Sequence, residues 1–176
     1  MRQESGQRLC EDLRWPIHFV WVWRWRGSII HELILRRKGA QILKAENALA
    51  LLSLASLPTD IRQKIDGIYY PSLWQGRKDH TYFLAQAVSQ ILGVDAYGVV
   101  IPEVSQYKTC GRQKRLKLRV AASDHQVQYI GSYPLFVDDV ITTGATMEAV
   151  WRVLGRPDTL RGLCLAYKTF NPEDKV

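Results

Sequence analysis

The chain has 176 residues, 47% of them hydrophobic, three cysteines and a formal net charge of +7. That length favours one core with at most an appended part, and no apolar run reaches the ~20 residues needed to cross a bilayer. Cys10, Cys110 and Cys164 are too scattered for a metal-ligand pair or a disulfide framework, and the basic balance suits polyanions without choosing among them. No secretory signal is read in Met1 to Ser5, so a reduced, cytoplasmic setting is expected. Residues 1–16 are polar and basic and are expected to be poorly ordered. His18 to Arg26 alternates Phe19, Trp21, Trp23 and Trp25 against Arg24 and Arg26. That is the pattern of a strand, in a hairpin closing at Gly27. Its tryptophans suit either a small sheet core or a wall against a flat ring. Ile29, Ile30, Leu33 and Ile34 fit a short amphipathic helix that ends at Arg36 to Gly39. A second helix is expected from about Leu43 to Ser56, ahead of Pro58.

Ile65 to Tyr70 reads as the first core strand, with residues 71–78 as a loop behind it. Asp79 can cap the next helix, which places Phe83, Leu84, Ala87, Val88, Ile91 and Leu92 on one face and closes at Gly93. The following strand is Tyr97 to Ile101. Gln106 to Arg119 is the most basic stretch, with Lys108, Arg112, Lys114, Arg115, Lys117 and Arg119 and no acid. Such a run is a solvated face, a lid or a nucleic-acid contact. Gln126 to Ile130 is a further short strand, Leu160 to Lys168 the last core strand, and residues 171–176 a polar tail. Strands alternating with helices predict an α/β fold with a mostly parallel sheet.

Leu135 to Thr146 (LFVDDVITTGAT) carries the chemistry. Leu135 to Val137 are continuously apolar, as in a parallel strand covered on both faces. Asp138 and Asp139 follow side by side. An ionised carboxylate buried without a partner is very costly, so the pair is expected outside the core, at the carboxyl end of the strand. Thr142, Thr143, Gly144, Ala145 and Thr146 then lead into a helix with Met147, Val150, Trp151 and Leu154 on one face, stopped by Gly155 and Pro157. Free N–H groups and the dipole at a helix start suit a phosphate, the dipole contributing roughly 0.3–2 kcal/mol. Two adjacent carboxylates accept hydrogen bonds from two sugar hydroxyls at about 1.5–3 kcal/mol each. Threonine capping explains one threonine and neither the acid pair nor the glycine.

The stretch resembles the phosphoribosyl-pyrophosphate motif of type I phosphoribosyltransferases: hydrophobic residues, two acids, two hydrophobics, then a threonine- and glycine-rich phosphate loop. The resemblance implies that Asp138 and Asp139 hold the ribose 2′- and 3′-hydroxyls. It implies that Thr142, Thr143, Gly144, Ala145 and Thr146 wrap the 5′-phosphate. Ser72, Leu73, Arg77 and Lys78 then correspond to a pyrophosphate loop, and the stretch at 106–119 to a mobile catalytic lid. Within that lid Arg112 and Lys114 would be catalytic and Arg115 would meet pyrophosphate. Mg²⁺ would come with the substrate. Some purine-salvage members carry an aspartate where this chain has Thr142. Its absence argues against a 6-oxopurine acceptor and removes the obvious general base.

Beyond that motif the order is similar to the competence protein ComF family. Gly27, Ile30, Leu33, Leu35, Lys38 and Gly39 resemble its tyrosine-glycine-leucine-lysine region. Arg77 with Leu84-Ala85, and Thr109 with Gln113 and Leu116, match further positions. Only Cys10 stands where relatives carry a zinc ribbon, so no zinc is expected. Lys78-Asp79-His80-Thr81 replaces the family's glycine-phenylalanine-asparagine-glutamine run, which puts His80 near the expected site. A single histidine at a helix start is more readily a surface residue than a catalyst.

The expectation is therefore a type I phosphoribosyltransferase-like α/β fold, its mostly parallel central sheet flanked by helices. An N-terminal hairpin or hood lies in residues 1–60, the core in 61–170 and a tail in 171–176. The expected activity is transfer of phosphoribosyl from phosphoribosyl pyrophosphate to an unidentified nitrogenous acceptor. The alternative is a non-catalytic accessory protein of DNA uptake that binds a phosphorylated ligand, or single-stranded DNA through its basic stretch. A homodimer stays open.

Overall fold

The computed structural model describes residues 6–9, 18–24, 42–73, 80–101, 131–141 and 144–167. Among them lie β1 (Gly6–Leu9), β2 (His18–Arg24), α1 (Ile42–Ala55), α2 (Thr59–Arg62), β3 (Gly67–Leu73), α3 (His80–Leu92), β4 (Ala96–Ile101), β5 (Pro134–Ile141), α4 (Ala145–Val153) and β6 (Arg161–Tyr167). The strands form one six-stranded sheet in the order β1-β2-β6-β5-β3-β4. Every pair is parallel except β1 with β2. The expected α/β layout, a mostly parallel sheet flanked by helices with a small N-terminal hairpin, is what the structure has.

The hairpin differs in two respects: the aromatic strand is its second strand, so it does not close at Gly27. Its first strand is Gly6–Leu9, from the stretch expected to be poorly ordered, and it pairs antiparallel with β2. An edge strand needs backbone partners rather than an apolar face, so its polar sequence gave no strand signal. β2 in turn pairs in parallel with β6, which makes it part of the same sheet. The helix at 29–34, the strand at 126–130 and the basic stretch at 106–119 lie outside the described residues.

The sheet's two faces carry different helices. Ile68, Leu135, Val137, Leu163 and Leu165 pack with Leu49, Ala50 and Leu54 of α1 and with Leu84, Ala85 and Val88 of α3. Tyr69, Phe136 and Cys164 pack with Met147 and Val150 of α4. The reason is topological. The β3–α3–β4 crossover runs one way along the sheet and β5–α4–β6 runs the other. Right-handed crossovers in opposite directions put their helices on opposite faces. The order therefore reverses between β3 and β5, and open α/β sheets bind ligands outside the carboxyl ends of the strands at such a point.

The two strands are closed at one end and open at the other. At the amino end, Asp66 accepts the N–H of Tyr133 at 2.9 Å and that of Ser132, fastening the approach to β5 against β3. Pairing then runs through Gly67–Pro134, Ile68–Leu135 and Tyr69–Phe136 and stops. β3 continues on β4 as far as Leu73–Ile101, and β5 continues on β6 as far as Ile141–Tyr167. Pro71 accounts for part of this. Ile68 donates its N–H to Asp95 O at 3.0 Å, on the β4 side. Nitrogens alternate sides along a strand, so those of Tyr69 and Pro71 face β5. Proline has no N–H to carry the ladder further, and a strand tolerates it where no partner is required.

Candidate functional site

Asp138 and Asp139 lie in β5 just past its last rung with β3, at the mouth of that opening. Two expectations change here. The strand does not end at the acids; it runs through them to Ile141, because β6 still supplies a backbone partner. Nor is the pair outside the core, since Asp138 is 9% exposed. Local bonds reduce the cost of that burial. Asp138 Oδ1 accepts the N–H of Asp139 at 2.8 Å, and Asp139 Oδ1 accepts the N–H of Val140 at 2.7 Å. The alternation of faces also slips across the pair. Val137 and Val140 pack on the α1–α3 side, and Phe136 and Ile141 on the α4 side, although strict alternation would separate residues three apart. The offset to β6 is the same at Leu135–Arg161 and at Ile141–Tyr167, so no residue is inserted.

His80 is the third member of the site. It opens α3, and its Nε2 donates to Asp139 Oδ2 at 2.8 Å. Buried Thr81, Leu84 and Ala85 seat that first turn of the helix. The histidine is at the surface, as expected of a residue at a helix start, yet it is not free there. It is part-exposed, but it is held on the acid pair, an arrangement visible only once α3 is known to begin beside β5. Burial works to raise the Asp139 carboxyl. The His80 hydrogen bond and charge, with smaller help from Asp138 and the Val140 N–H, outweigh it and hold the group below its ordinary 3.8. A folded-state value below the unfolded one stabilises the fold in full above the unfolded value, and that gain is lost as pH falls through the folded value. The stability gap between the wild type and Asp139→Asn should therefore stay near ~1 kcal/mol from pH 6 to 5 and shrink progressively once pH falls below 3.8 in urea titrations. A gap that widens in acid would contradict this ionisation.

Cys164 of β6 stands opposite Asp138 in register and is a free, fully buried thiol. Burial first, then the charges of Asp138 and Asp139, push it well above its ordinary 9.0. A variant with Cys164 as its one cysteine (Cys10→Ser, Cys110→Ser) should take up iodoacetamide at pH 8 no faster than it unfolds. Rapid labelling of the folded protein would count against so closed a site.

α4 begins at Ala145, behind Gly144. Gly144 is buried with φ +73°, a left-handed conformation that costs an L side chain roughly 1–2 kcal/mol. Its carbonyl accepts the Glu148 N–H at 2.9 Å, and as the N-cap residue it brings no side-chain cap of its own. Among the described residues no side chain takes the first N–H groups of α4, as at an anion-binding helix start. Arg156 N–H to Trp151 O at 2.9 Å and Gly155 N–H to Arg152 O at 3.1 Å close the other end in a Schellman motif.

Of the expected site residues, Asp138, Asp139, Gly144, Ala145 and Thr146 lie together along the end of β5 and the start of α4. Ser72 and Leu73 are the last two residues of β3 rather than loop residues, because β4 still pairs with them. Arg77, Lys78, Arg112, Lys114, Arg115, Thr142 and Thr143 are outside the described residues. Among the described residues no group of three or more His, Cys, Asp or Glu could hold a metal, and no helix is long and apolar enough to cross a membrane.

Fold and site together define an α/β protein with an acid pair at a parallel-sheet switch point and a helix start on an N-cap glycine behind it. No protein-family model matches the chain, and no curated protein does. Among solved structures it is similar to a hypoxanthine phosphoribosyltransferase of Trypanosoma cruzi, at 13% identity and a TM-score of 0.41, over 77% of this chain and 82% of that one. It is also similar to an alanine variant of an invariant aspartate in hypoxanthine phosphoribosyltransferases, at 15% identity and a TM-score of 0.42, over 75% and 78%. These likenesses are loose, and the functional reading rests on the crevice itself.

Proposed function

We propose that the chain is a phosphoribosyltransferase that binds phosphoribosyl pyrophosphate with Mg²⁺ and transfers the phosphoribosyl group to a nitrogenous acceptor. One observation carries this. Asp138 and Asp139 stand at the open switch point, immediately before a helix whose start is built on left-handed Gly144, which brings no side-chain cap of its own. Sugar hydroxyls suit the acid pair and a 5′-phosphate suits the helix start. In this reading the acids accept the ribose hydroxyls and favour the positive charge that develops on the sugar as pyrophosphate leaves. The Gly144–Thr146 turn anchors the phosphate. Holding both ends of the sugar presents its reacting carbon to the nucleophile, so positioning supplies much of the rate.

Mg²⁺ bound largely through phosphate and water oxygens needs no dedicated cage of side chains, which fits a site with two carboxylates and no third ligand among the described residues. When bound, it would neutralise the leaving pyrophosphate. Pyrophosphate contacts from Ser72, Leu73, Arg77, Lys78 and Arg115, and lid roles for Arg112 and Lys114, belong to the same reading, as does the tie to DNA uptake through the ComF resemblance. The test is calorimetric titration of phosphoribosyl pyrophosphate with Mg²⁺, followed by a screen of nitrogenous acceptors for pyrophosphate release. Binding followed by release with one acceptor supports transfer. A folded protein that binds neither phosphoribosyl pyrophosphate nor ribose 5-phosphate would end the proposal.

A further inference from the structure

We propose that His80 is a positioning residue for the sugar-binding carboxylate: its Nε2–H fixes Asp139 so that the remaining lone pairs of the carboxylate face the open crevice. This rests on the phosphoribosyl reading above and assigns it a residue from a different element. The geometry is specific. Asp139 is held at both oxygens, Oδ2 by His80 Nε2 at 2.8 Å and Oδ1 by the Val140 N–H at 2.7 Å. The Asp138 side chain also reaches this carboxylate, and its two oxygens offer about four acceptor sites in all, so capacity remains for a further donor. With both oxygens held, the plane of the group cannot turn, and a hydroxyl arriving from the crevice meets an acceptor already oriented. Ordering the side chain at the moment of binding would otherwise weaken affinity.

The placement of His80 supports this role. It is the first residue of α3, its side chain is 42% exposed against 16% for Asp139, and buried Thr81, Leu84 and Ala85 fix the turn it stands on. Its ring therefore borders the crevice and is not a filler of the core. α3 packs on β3 and β5, the two strands that separate here, so His80 ties the helix to β5 where that strand has left β3. Around metal ligands, partners that orient a binding group in this way change affinity or activity about 10–100-fold when removed, and the same order is expected here.

The test uses variants that separate the donor from the ring. His80→Phe keeps a flat ring without a donor, and His80→Gln keeps an N–H near Nε2 without the ring. Each is titrated calorimetrically with phosphoribosyl pyrophosphate and Mg²⁺ beside the wild type, Asp139→Asn and His80→Phe/Asp139→Asn, after thermal unfolding confirms the fold. His80→Phe should bind about tenfold more weakly and His80→Gln within about threefold of wild type. His80→Phe should cost nothing further in the Asp139→Asn background. Equal losses for Phe and Gln, no loss for either, or simple additivity with Asp139→Asn would overturn the positioning role while leaving the phosphoribosyl reading intact. If His80→Phe does not fold, His80→Gln against Asp139→Asn decides: a loss as large as that of Asp139→Asn rejects it. Absence of binding by the wild type removes the phosphoribosyl reading and this inference with it.

Discussion

Changing Asp138 and Asp139 together to asparagine should reduce affinity for phosphoribosyl pyrophosphate about 10²–10⁴-fold in a protein that still folds. Two charge-assisted hydrogen bonds at roughly 1.5–3 kcal/mol each set that range. Folding should survive because each asparagine keeps an oxygen for the N–H that follows it, replacing the 2.8 Å and 2.7 Å bonds of the native acids. The difficulty arises at His80. The amide nitrogen of an asparagine at 139 would face the Nε2 donor of His80, and a neutral ring relieves this by presenting Nε2 as an acceptor. The loss should be selective. Ribose 5-phosphate should weaken with the full ligand because the acids read hydroxyls. Inorganic phosphate should bind the variant as well as the wild type, because its cradle is the start of α4. If phosphate and sugar weaken equally, the acids act on the whole site through its charge and do not hold the ribose.

What could be read from the sequence followed the physics of single elements. Leu135 to Val137 announced a covered strand because three consecutive apolar residues suit both faces of a parallel sheet. α3 and α4 were legible from their one-sided apolar spacing, and their observed cores, Leu84, Ala87 and Val88 in one and Met147 and Val150 in the other, lie on the expected faces. The acid pair and the glycine before α4 were legible because few structural duties call for that combination. What stayed hidden depends on neighbours distant in the chain. Pro71 argued for a loop, and only the departure of β5 makes it acceptable inside β3. Asp138 argued for exposure, and only the local geometry of the strand supplies the N–H that it accepts. The sequence put His80 near the site only by resemblance and gave no partner for it. Its contact with Asp139 follows from the strand order β5-β3-β4, which seats α3 on β5, and no local pattern encodes that order.

Phe136→Ala should lower stability by about 3–5 kcal/mol, a large part of the 5–15 kcal/mol typical of a domain. Phe136 is 1% exposed, packs with Tyr69, Met147 and Val150, and lies on the last rung between β3 and β5. Truncation leaves a cavity between the sheet and α4, at the point where the closed end of the two strands gives way to the open one. Phe136→Leu fills most of the space and should cost less than half as much. Urea midpoints measure both. The same titrations distinguish a damaged fold from a damaged site. Ligand at about 100 times its Kd should return roughly 2.7 kcal/mol to any variant that keeps the crevice chemistry. Phe136→Ala should regain that amount in the presence of phosphoribosyl pyrophosphate with Mg²⁺, because its acids, His80 and Gly144 are unchanged. The double asparagine variant should show a near-native midpoint and no such shift. If Phe136→Ala were also unmoved by ligand, the last rung would be shaping the crevice as well as supporting the core. The opening between β3 and β5 would then be set by that one aromatic side chain, with Pro71 serving only to tolerate it.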